Sequence, residues 1–260
     1  MSLSSPLEKP TSKSSARQNF LEWLFFFVIV LGLWQFAAWS IQNALICPTP
    51  WQVFQAMIEQ LHSPTFWPAI GTTIVRALFS LGFSFAIALP ISFLGAFYPW
   101  WGGFFNRLVS IFQTVPNVCY IVLLLFWTSR EQTVILTGFF LLFPLLYRSL
   151  YEALCAIQEQ WKAVWTLYPQ PKFILMEKIC FPLLRFPLLA AIKSASSLSF
   201  KVCVTSEILT GLMIGIGKRM QMARLNLDLA GVVGWSIWLV ILVFAFEKLW
   251  SFFIDRFLRD

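Results

Sequence analysis

ALFSLGFSFAIALPISFLGAFYPWW, residues 77–101, is a run of 25 residues without a charged side chain. A helix needs about 20 mostly apolar residues to cross the hydrocarbon core of a bilayer, so this run is long enough for one membrane span. Across all 260 residues, 58% are hydrophobic and 12% are charged, whereas a soluble domain carries about 25% charged residues. The sequence therefore predicts an all-α integral membrane protein.

Five further apolar runs bring the number of predicted spans to six. The fourth is short, and the fifth is interrupted by Lys193, Lys201 and Glu207. Residues 1–19 are polar and rich in serine, so we expect a disordered cytoplasmic segment ahead of a membrane domain at 20–260. The predicted spans are 23–41, 77–101, 108–127, 133–147, 186–213 and 229–246.

The basic residues favour one orientation in the membrane. Six spans place both termini on the same side. With the termini in the cytoplasm, 12 of the 19 basic residues face the cytoplasm and 4 face outward, while Arg76, Lys193 and Lys201 lie at membrane depth. Cytoplasmic loops carry an excess of Lys and Arg. The net charge of +7 is thus explained by topology and does not indicate nucleic acid.

Polar residues within the spans are candidates for a transport pathway, because an ionisable group at mid-span costs about 2.5–3.5 kcal/mol or more. Arg76, Lys201 and Glu207 qualify on this ground. Pro116 qualifies because a proline inside a span kinks the helix and frees a carbonyl. Lys201 and Glu207 are six residues apart, about 240° around a helix, so they do not share a face. Solvation at the outer end of the span is an equally good explanation for Glu207.

Motifs for catalysis and metal binding are missing. The single histidine, His62, has no companion at metal-ligand spacing, and the five cysteines show no CxxC pair. HExxH, GxSxG and GxxxxGK[ST] are absent. We expect this chain to be no enzyme and to hold no metal or cofactor.

The longest cytoplasmic loop, about residues 152–185, carries a short amphipathic pattern. Trp161, Val164, Trp165 and Tyr168 recur at i, i+3, i+4 and i+7, which is one face of a helix. Prolines at 169 and 171 then end that helix. An apolar face on a polar loop predicts a docking surface for a soluble partner. The alternative is that the face packs on the ends of the chain's own helices.

Four short motifs extend over the chain from about residue 45 onward. They are CPTP at 47–50; residues 72–90, which include Arg76 and the Gly-Phe pair at 82–83; residues 113–127, which include Pro116 and end in Leu-Phe-Trp; and SEIL at 206–209 followed by GIG at 215–217. Together they resemble the permease subunits of bacterial ABC importers, and most closely the sulfonate, taurine, nitrate and bicarbonate branch of that family.

The cytoplasmic loop resembles the EAA loop of those permeases, E-A-A-x(3)-G-x(9)-I-x-L-P, in a degenerate form. Ile179, Phe181 and Pro182 occupy the I-x-L-P positions. The E-A-A positions hold Ala-Val-Trp at 163–165, and a proline replaces the glycine. The resemblance implies that this loop couples to a separate ATPase subunit through a set of residues: Trp161, Ala163, Val164, Trp165, Tyr168 and Pro169.

The resemblance also implies an architecture and partners. It implies the six-helix type I importer permease fold, in the inner membrane of a bacterium with both termini cytoplasmic. The implied partners are an ATP-binding cassette subunit that holds ATP and Mg, an extracytoplasmic solute-binding protein, and a second permease copy in a homodimer or a similar subunit. Lys218, Arg219 and Arg224 outside are open to three interpretations: a docking surface for the binding protein, an attractor of anions, or a solvated loop.

The alternative function is an ion-coupled secondary transporter. In that hypothesis Lys201 and Glu207 act as coupling charges within the membrane. The sequence shows no inverted repeat and no matching pair of broken helices in its two halves. The solute is not identified under either hypothesis.

Overall fold

The computed structural model describes residues 12–43 and 45–257. Within these residues all regular structure is helical, which confirms the all-α prediction. The helices are α1 (Ser12–Ile41), α2 (Pro50–His62), α3 (Phe66–Phe97), α4 (Pro99–Thr114), α5 (Asn117–Leu125), α6 (Arg130–Leu167), α7 (Lys172–Leu175), α8 (Phe181–Thr210), α9 (Ile216–Leu225) and α10 (Leu229–Phe257). A π-helical turn, Met176–Cys180, joins α7 to α8.

Four of the described helices contain a segment long and apolar enough to cross a membrane. A fifth span results if α4 and α5, which meet at 90°, count as one bent span. The protein is therefore a multi-pass membrane protein. The helix α8, which covers most of the fifth predicted span, is not among the four, because lysines and serines interrupt its apolar residues. The four segments are Leu21–Ile41, Phe66–Phe97, Arg130–Leu167 and Leu229–Phe252.

The first helix begins earlier than the sequence predicted. Residues 1–19 were expected to be disordered, but α1 already begins at Ser12. No proline or glycine stands between Pro10 and Gly32, so nothing in this stretch stops the apolar helix from extending toward the N-terminus. The prediction is wrong for residues 12–19, and residues 1–11 lie outside the described part of the chain.

The centre of the bundle consists of α3, α6 and α8. Small residues allow these helices to approach closely: a side-chain carbon at Gly138 of α6 would overlap Ser80 of α3. Around this contact, Leu142 and Tyr147 of α6 are completely buried in a cluster that also contains Ala195 of α8. The three helices therefore form the packed core that positions the polar residues described below.

The third predicted span, 108–127, is broken rather than straight. Its proline stands between α4 and α5, and Val115 before it is extended (φ −80°, ψ 125°) because a residue before proline avoids the α region. The hydroxyl of Tyr120 donates to the Phe112 carbonyl at 2.9 Å, and the Tyr120 ring stacks on Phe140 at 5.1 Å. Pro116 is thus the breakpoint of a bent helix pair.

The predicted loop 152–185 is a helical hairpin, and its amphipathic segment is not a separate helix. The 38 residues of α6 run without interruption to Leu167, because no glycine or proline occurs between Pro144 and Pro169. The chain turns at 168–171 and continues as α7, the π-helical turn and α8. The prediction that prolines end the amphipathic helix near Tyr168 is confirmed.

Candidate functional site

A buried ion pair connects the second and fifth predicted spans. Arg76 on α3 is 7% exposed, and Glu207 near the end of α8 is completely buried. The Nη1 atom of Arg76 donates to Glu207 Oε1 at 2.7 Å and to the Ile214 carbonyl at 2.7 Å. The alternative that Glu207 is solvated at the outer end of its span is therefore wrong. A fully buried carboxylate needs a charged partner, and Arg76 is that partner.

The remaining partners of the Glu207 carboxylate hold the chain segment after α8 against it. Thr73 Oγ1 donates to Glu207 Oε1 at 3.0 Å and accepts from the Ile216 amide at 3.0 Å. The Gly217 amide donates to Glu207 Oε2 at 2.9 Å. The carboxylate thus accepts hydrogen bonds from a side chain of α3 and from the backbone at the start of α9. These bonds fix the turn between α8 and α9.

Two glycines make this turn possible. Gly215 has φ +145°, a conformation that residues with a Cβ rarely adopt. A Cβ at Gly215 would stand 2.5 Å from Glu207 Oε2, and a Cβ at Gly217 would stand 2.6 Å from the Val204 carbonyl oxygen. Glycine is therefore required in the GIG stretch at 215–217, because the backbone there lies too close to Glu207 and α8 for a Cβ.

A second carboxylate completes the cluster from the beginning of α6. Glu131 accepts from Arg76 Nε at 2.7 Å and from Nη2 at 2.6 Å, which is a bidentate guanidinium–carboxylate pair. Its side chain is 56% exposed, in contrast to that of Glu207. An open pocket of about 430 Å³ lies beside this pair, lined in part by Val75, Phe79 and Arg76. The guanidinium therefore connects three helices through one buried and one accessible ion pair.

Thr73 and Glu131 were not predicted from the sequence. Arg76 and Glu207 were predicted as separate pathway candidates and not as a pair. The available signal was that an arginine at membrane depth requires an acid, and Glu131 stands just ahead of the fourth predicted span. The cluster contains two carboxylates and one guanidinium, and its chemistry is that of an electrostatic clamp between helices.

The other two pathway candidates lie elsewhere. Lys201 is exposed on α8, on a different face from buried Glu207, as their six-residue spacing predicts. Pro116 is exposed at the break between α4 and α5. The structure therefore brings together Arg76 and Glu207 from the four candidates and leaves Lys201 and Pro116 apart from them.

The predicted coupling residues lie at the end of the hairpin and divide into two groups. Trp165 is half-buried and packs on the chain's own cluster around Leu154 and Cys180, as the alternative interpretation expected for the whole face. The other five are exposed: Trp161, Ala163, Val164, Tyr168 and Pro169. Beside them lie two large apolar side chains that were not predicted from the sequence, Leu167 and Phe173, which are 74% and 66% exposed.

In the described part of the chain, no group of three or more His, Cys, Asp or Glu side chains is placed to hold a metal ion. No protein-family model matches the sequence, and no curated protein matches it at a significant level.

Proposed function

We propose that this chain is the transmembrane permease subunit of an ABC importer and has no catalytic activity of its own. ATP and Mg are bound by a separate ATPase subunit on the cytoplasmic side. An extracytoplasmic binding protein delivers a small solute, and a second permease copy completes the pathway. The pair lies in the inner membrane of a bacterium, with both termini of each copy in the cytoplasm.

The observation that carries this proposal is the hairpin of α6 with α7 and α8. The 38 residues of α6 extend about 57 Å, whereas a bilayer core is about 30 Å thick. Charged residues at 130 and 131 favour a position of the N-terminal end of α6 near the membrane surface, which would leave the excess length at the other end. The last fully packed region of α6 ends at Ile157, and about 15 Å of helix continues beyond it.

The tip of this hairpin exposes large apolar and aromatic side chains, as a protein–protein docking surface would. Leu167 and Tyr168 are 74% and 70% exposed, and Phe173 follows after the turn. Aromatic side chains are enriched in protein–protein interfaces, and tyrosine is among the residue types that most often act as anchors there. Charged side chains of Glu159 and Lys162 precede the tip, which agrees with a segment outside the hydrocarbon region.

The same two helices reach the opposite end of the bundle. Glu131 at the start of α6 and Leu167 at its end are about 54 Å apart along the helix axis. Glu207 near the end of α8 meets Glu131 at Arg76, while the start of α8 lies at the hairpin. A displacement of the tip by a partner would therefore reach both carboxylates of the clamp along α6 and α8. In this way nucleotide binding on the partner would shift the balance between two states of the pair.

The secondary-transporter alternative requires Lys201 and Glu207 to serve as coupling charges. The two lie on different faces of α8, and Glu207 is fully buried and paired with Arg76. A coupling carboxylate must gain and lose its ion during transport, which this arrangement hinders. The geometry therefore supports the importer proposal better.

The proposal is tested by purifying the tagged chain from its native membranes in mild detergent, with and without chemical cross-linking. We expect an ATPase subunit to co-purify. We also expect uptake into whole cells to stop when ATP is depleted and to persist when the proton gradient is collapsed. Recovery of no ATPase under either condition, together with uptake that depends on the proton gradient alone, would establish the secondary transporter instead.

A further inference from the structure

A groove of about 720 Å³ lies between the end of α3 and the base of the hairpin. Its volume is typical of ligand pockets, which enclose about 300–1,000 Å³. Pro90 and Phe181, which line it, are exposed, so the groove is open to the surroundings of the bundle. Its walls are predominantly apolar, and four phenylalanines contribute to them: Phe93, Phe97, Phe173 and Phe181.

The α3 wall of the groove belongs to a segment that is long and apolar enough to cross a membrane, Phe66–Phe97. Leu89 and Tyr98 both line the groove and are about 14 Å apart along the helix axis. A bilayer core is about 30 Å thick, so the groove has the depth of one leaflet. Tyr98 and Trp100 beyond it are exposed. Tyrosine and tryptophan are enriched at membrane–water interfaces, which places the Tyr98 end of the groove at the interface and the Leu89 end in the core.

The interfacial end of the groove carries a negative charge. The helices α3 and α8 are antiparallel, since Arg76 binds Glu207 near the end of α8 whereas Phe93 near the end of α3 packs with Leu184 near the start of α8. Glu177 precedes α8 in the chain and therefore lies toward the interfacial end. Among the described residues that line the groove, it is the one with a charged side chain, and it is exposed.

The hairpin wall of the groove contains the π-helical turn Met176–Cys180. Such turns are rare and occur frequently at functional sites. Met176 and Glu177, neighbours in this turn, both line the groove, while Cys180 is completely buried and packs with Phe93 of α3. Side chains normally fill the space between packed elements. Here the two walls are in contact beside the groove but not across it, which leaves room for a separate molecule.

We infer that this groove binds one acyl chain of a phospholipid from the leaflet on the hairpin side, with an ammonium-bearing headgroup beside Glu177. The depth of one leaflet, the apolar walls and the open side all fit a chain from the surrounding bilayer. A bound chain makes dispersion contacts that an empty groove lacks. A carboxylate attracts an ammonium and repels an anionic headgroup. The inference requires only that the protein spans the membrane, so it does not depend on the importer proposal.

The test uses a photoreactive phosphatidylethanolamine with a diazirine in the middle of one acyl chain. The full-length chain is purified in dodecyl maltoside, which removes loosely held lipid, and is then titrated with the probe and illuminated. Cross-linked residues are mapped by peptide mass spectrometry. We expect labelling at Leu94 and Met176 in the groove to saturate, because the site holds one chain. Labelling around Phe244, which is exposed on α10 outside the groove, should rise in proportion to the probe.

Filling the groove should exclude the chain. Leu94→Trp should lower the saturable labelling of Met176 about tenfold, because the larger ring occupies the space of the chain. Leu78→Trp is the matched control, since Leu78 is exposed on the same helix outside the groove, and it should leave the labelling unchanged. The melting temperature of each variant is measured in parallel. If Leu94→Trp does not fold, Met176→Trp fills the groove from the hairpin side, and the labelling of Leu94 is followed instead.

A photoreactive phosphatidylglycerol with the same acyl chains tests the headgroup. At equal concentration we expect phosphatidylethanolamine to label the groove about threefold more than phosphatidylglycerol, as is typical of an exposed charge pair. Glu177→Gln should remove this preference and retain the labelling. Glu159→Gln on α6, which changes an exposed carboxylate outside the groove, should keep the preference.

Three results would overturn the inference. Labelling of the groove that rises in proportion to the probe, as around Phe244, would show contact with bulk lipid only. Equal labelling by the two lipids would remove the ammonium from its place beside Glu177. An unlabelled groove would mean that a lipid chain does not enter it, and a benzoylphenylalanine at position 94 that cross-links to a second polypeptide would then assign the groove to a protein contact.

Discussion

Arg76 Nη1 lies 2.7 Å from Glu207 Oε1, although the two residues are 131 positions apart in the sequence. Both side chains are buried, so each provides the counter-charge that the other requires. The accessible carboxylate of Glu131 occupies the remaining side of the guanidinium. The three charges connect α3, α6 and α8 at one end of the bundle, and the contribution of each pair to stability can be separated by substitution.

Glu207→Gln should lower the stability of the detergent-solubilised protein by about 3–5 kcal/mol, because it leaves a buried guanidinium without its buried counter-charge. Thermal unfolding followed by circular dichroism gives the measurement. The matched control is Glu131→Gln, which removes the exposed partner of the same arginine and should cost at most about 1 kcal/mol. Equal losses in the two variants would contradict the assignment of the buried pair as the stronger one.

Gly215→Ala should destabilise the turn between α8 and α9 by roughly 1–3 kcal/mol, because it combines an unfavourable φ with a clash against the Glu207 carboxylate. Limited proteolysis at the turn and the melting temperature both report the change. Gly103→Ala on α4 is the control, since a Cβ there meets nothing within 4 Å and alanine favours a helix. A Gly215→Ala protein as stable as wild type would mean that the carboxylate is free to move away.

Sequence patterns predicted the helices of this fold better than they predicted which helices pack together. Apolar run length identified four segments that are long and apolar enough to span a membrane, and a fifth if the bent α4–α5 pair counts as one, but the predicted span 186–213 is not among them. Pro169 and Pro171 placed the end of the amphipathic segment at Tyr168. The periodicity of that segment was also correct. Its continuity with the fourth predicted span was missed, although no glycine or proline stands between Pro144 and Pro169, because the polarity of the stretch resembles that of a loop.

Long-range pairing was the part that the sequence could not supply. The six-residue spacing placed Lys201 and Glu207 on different faces of α8, but spacing within a helix does not say what faces each side. Arg76 and Glu207 were identified separately from the cost of burying charge, whereas Glu131 and Thr73 look like ordinary polar residues at helix ends. Their role depends on how α3, α6 and α8 pack, which periodicity alone does not determine.

The double variant Leu167→Ser and Tyr168→Ser should reduce recovery of the ATPase subunit about tenfold without affecting the melting temperature, because exposed anchors contribute to binding and not to the fold. Recovery is measured as the ratio of the two subunits after affinity purification. Leu225→Ser is the control, because Leu225 is 64% exposed on α9, far from the hairpin. Unchanged recovery in the double variant would show that the tip is not the docking surface.

Trp165→Ala should lower the stability of the protein, whereas the variants at Leu167 and Tyr168 should lower the binding of the ATPase. The ring packs on the cluster around Leu154 and Cys180, so its removal should lower stability by roughly 2 kcal/mol. Any loss of ATPase recovery should then follow the loss of folded protein. Loss of recovery at full stability would instead assign Trp165 to the docking surface together with Tyr168.

Pro116→Ala should straighten the α4–α5 pair. Alanine restores an amide that can donate to the Phe112 carbonyl, which now accepts from the Tyr120 hydroxyl, and it frees Val115 from the extended conformation. Spin labels at positions 107 and 125 measure the result. Their backbone separation should rise from about 18 Å across a right-angle bend to about 27 Å along a straight helix.

Tyr120→Phe is the companion variant, since it removes the hydroxyl but retains the proline and the ring that stacks on Phe140. If proline holds the bend, this variant should keep the short separation, and uptake should fall in Pro116→Ala alone. A short separation in both variants would mean that packing of the Tyr120 ring on Phe140 holds the bend. In that case the break is a consequence of tertiary structure, and the proline only makes it easier to form.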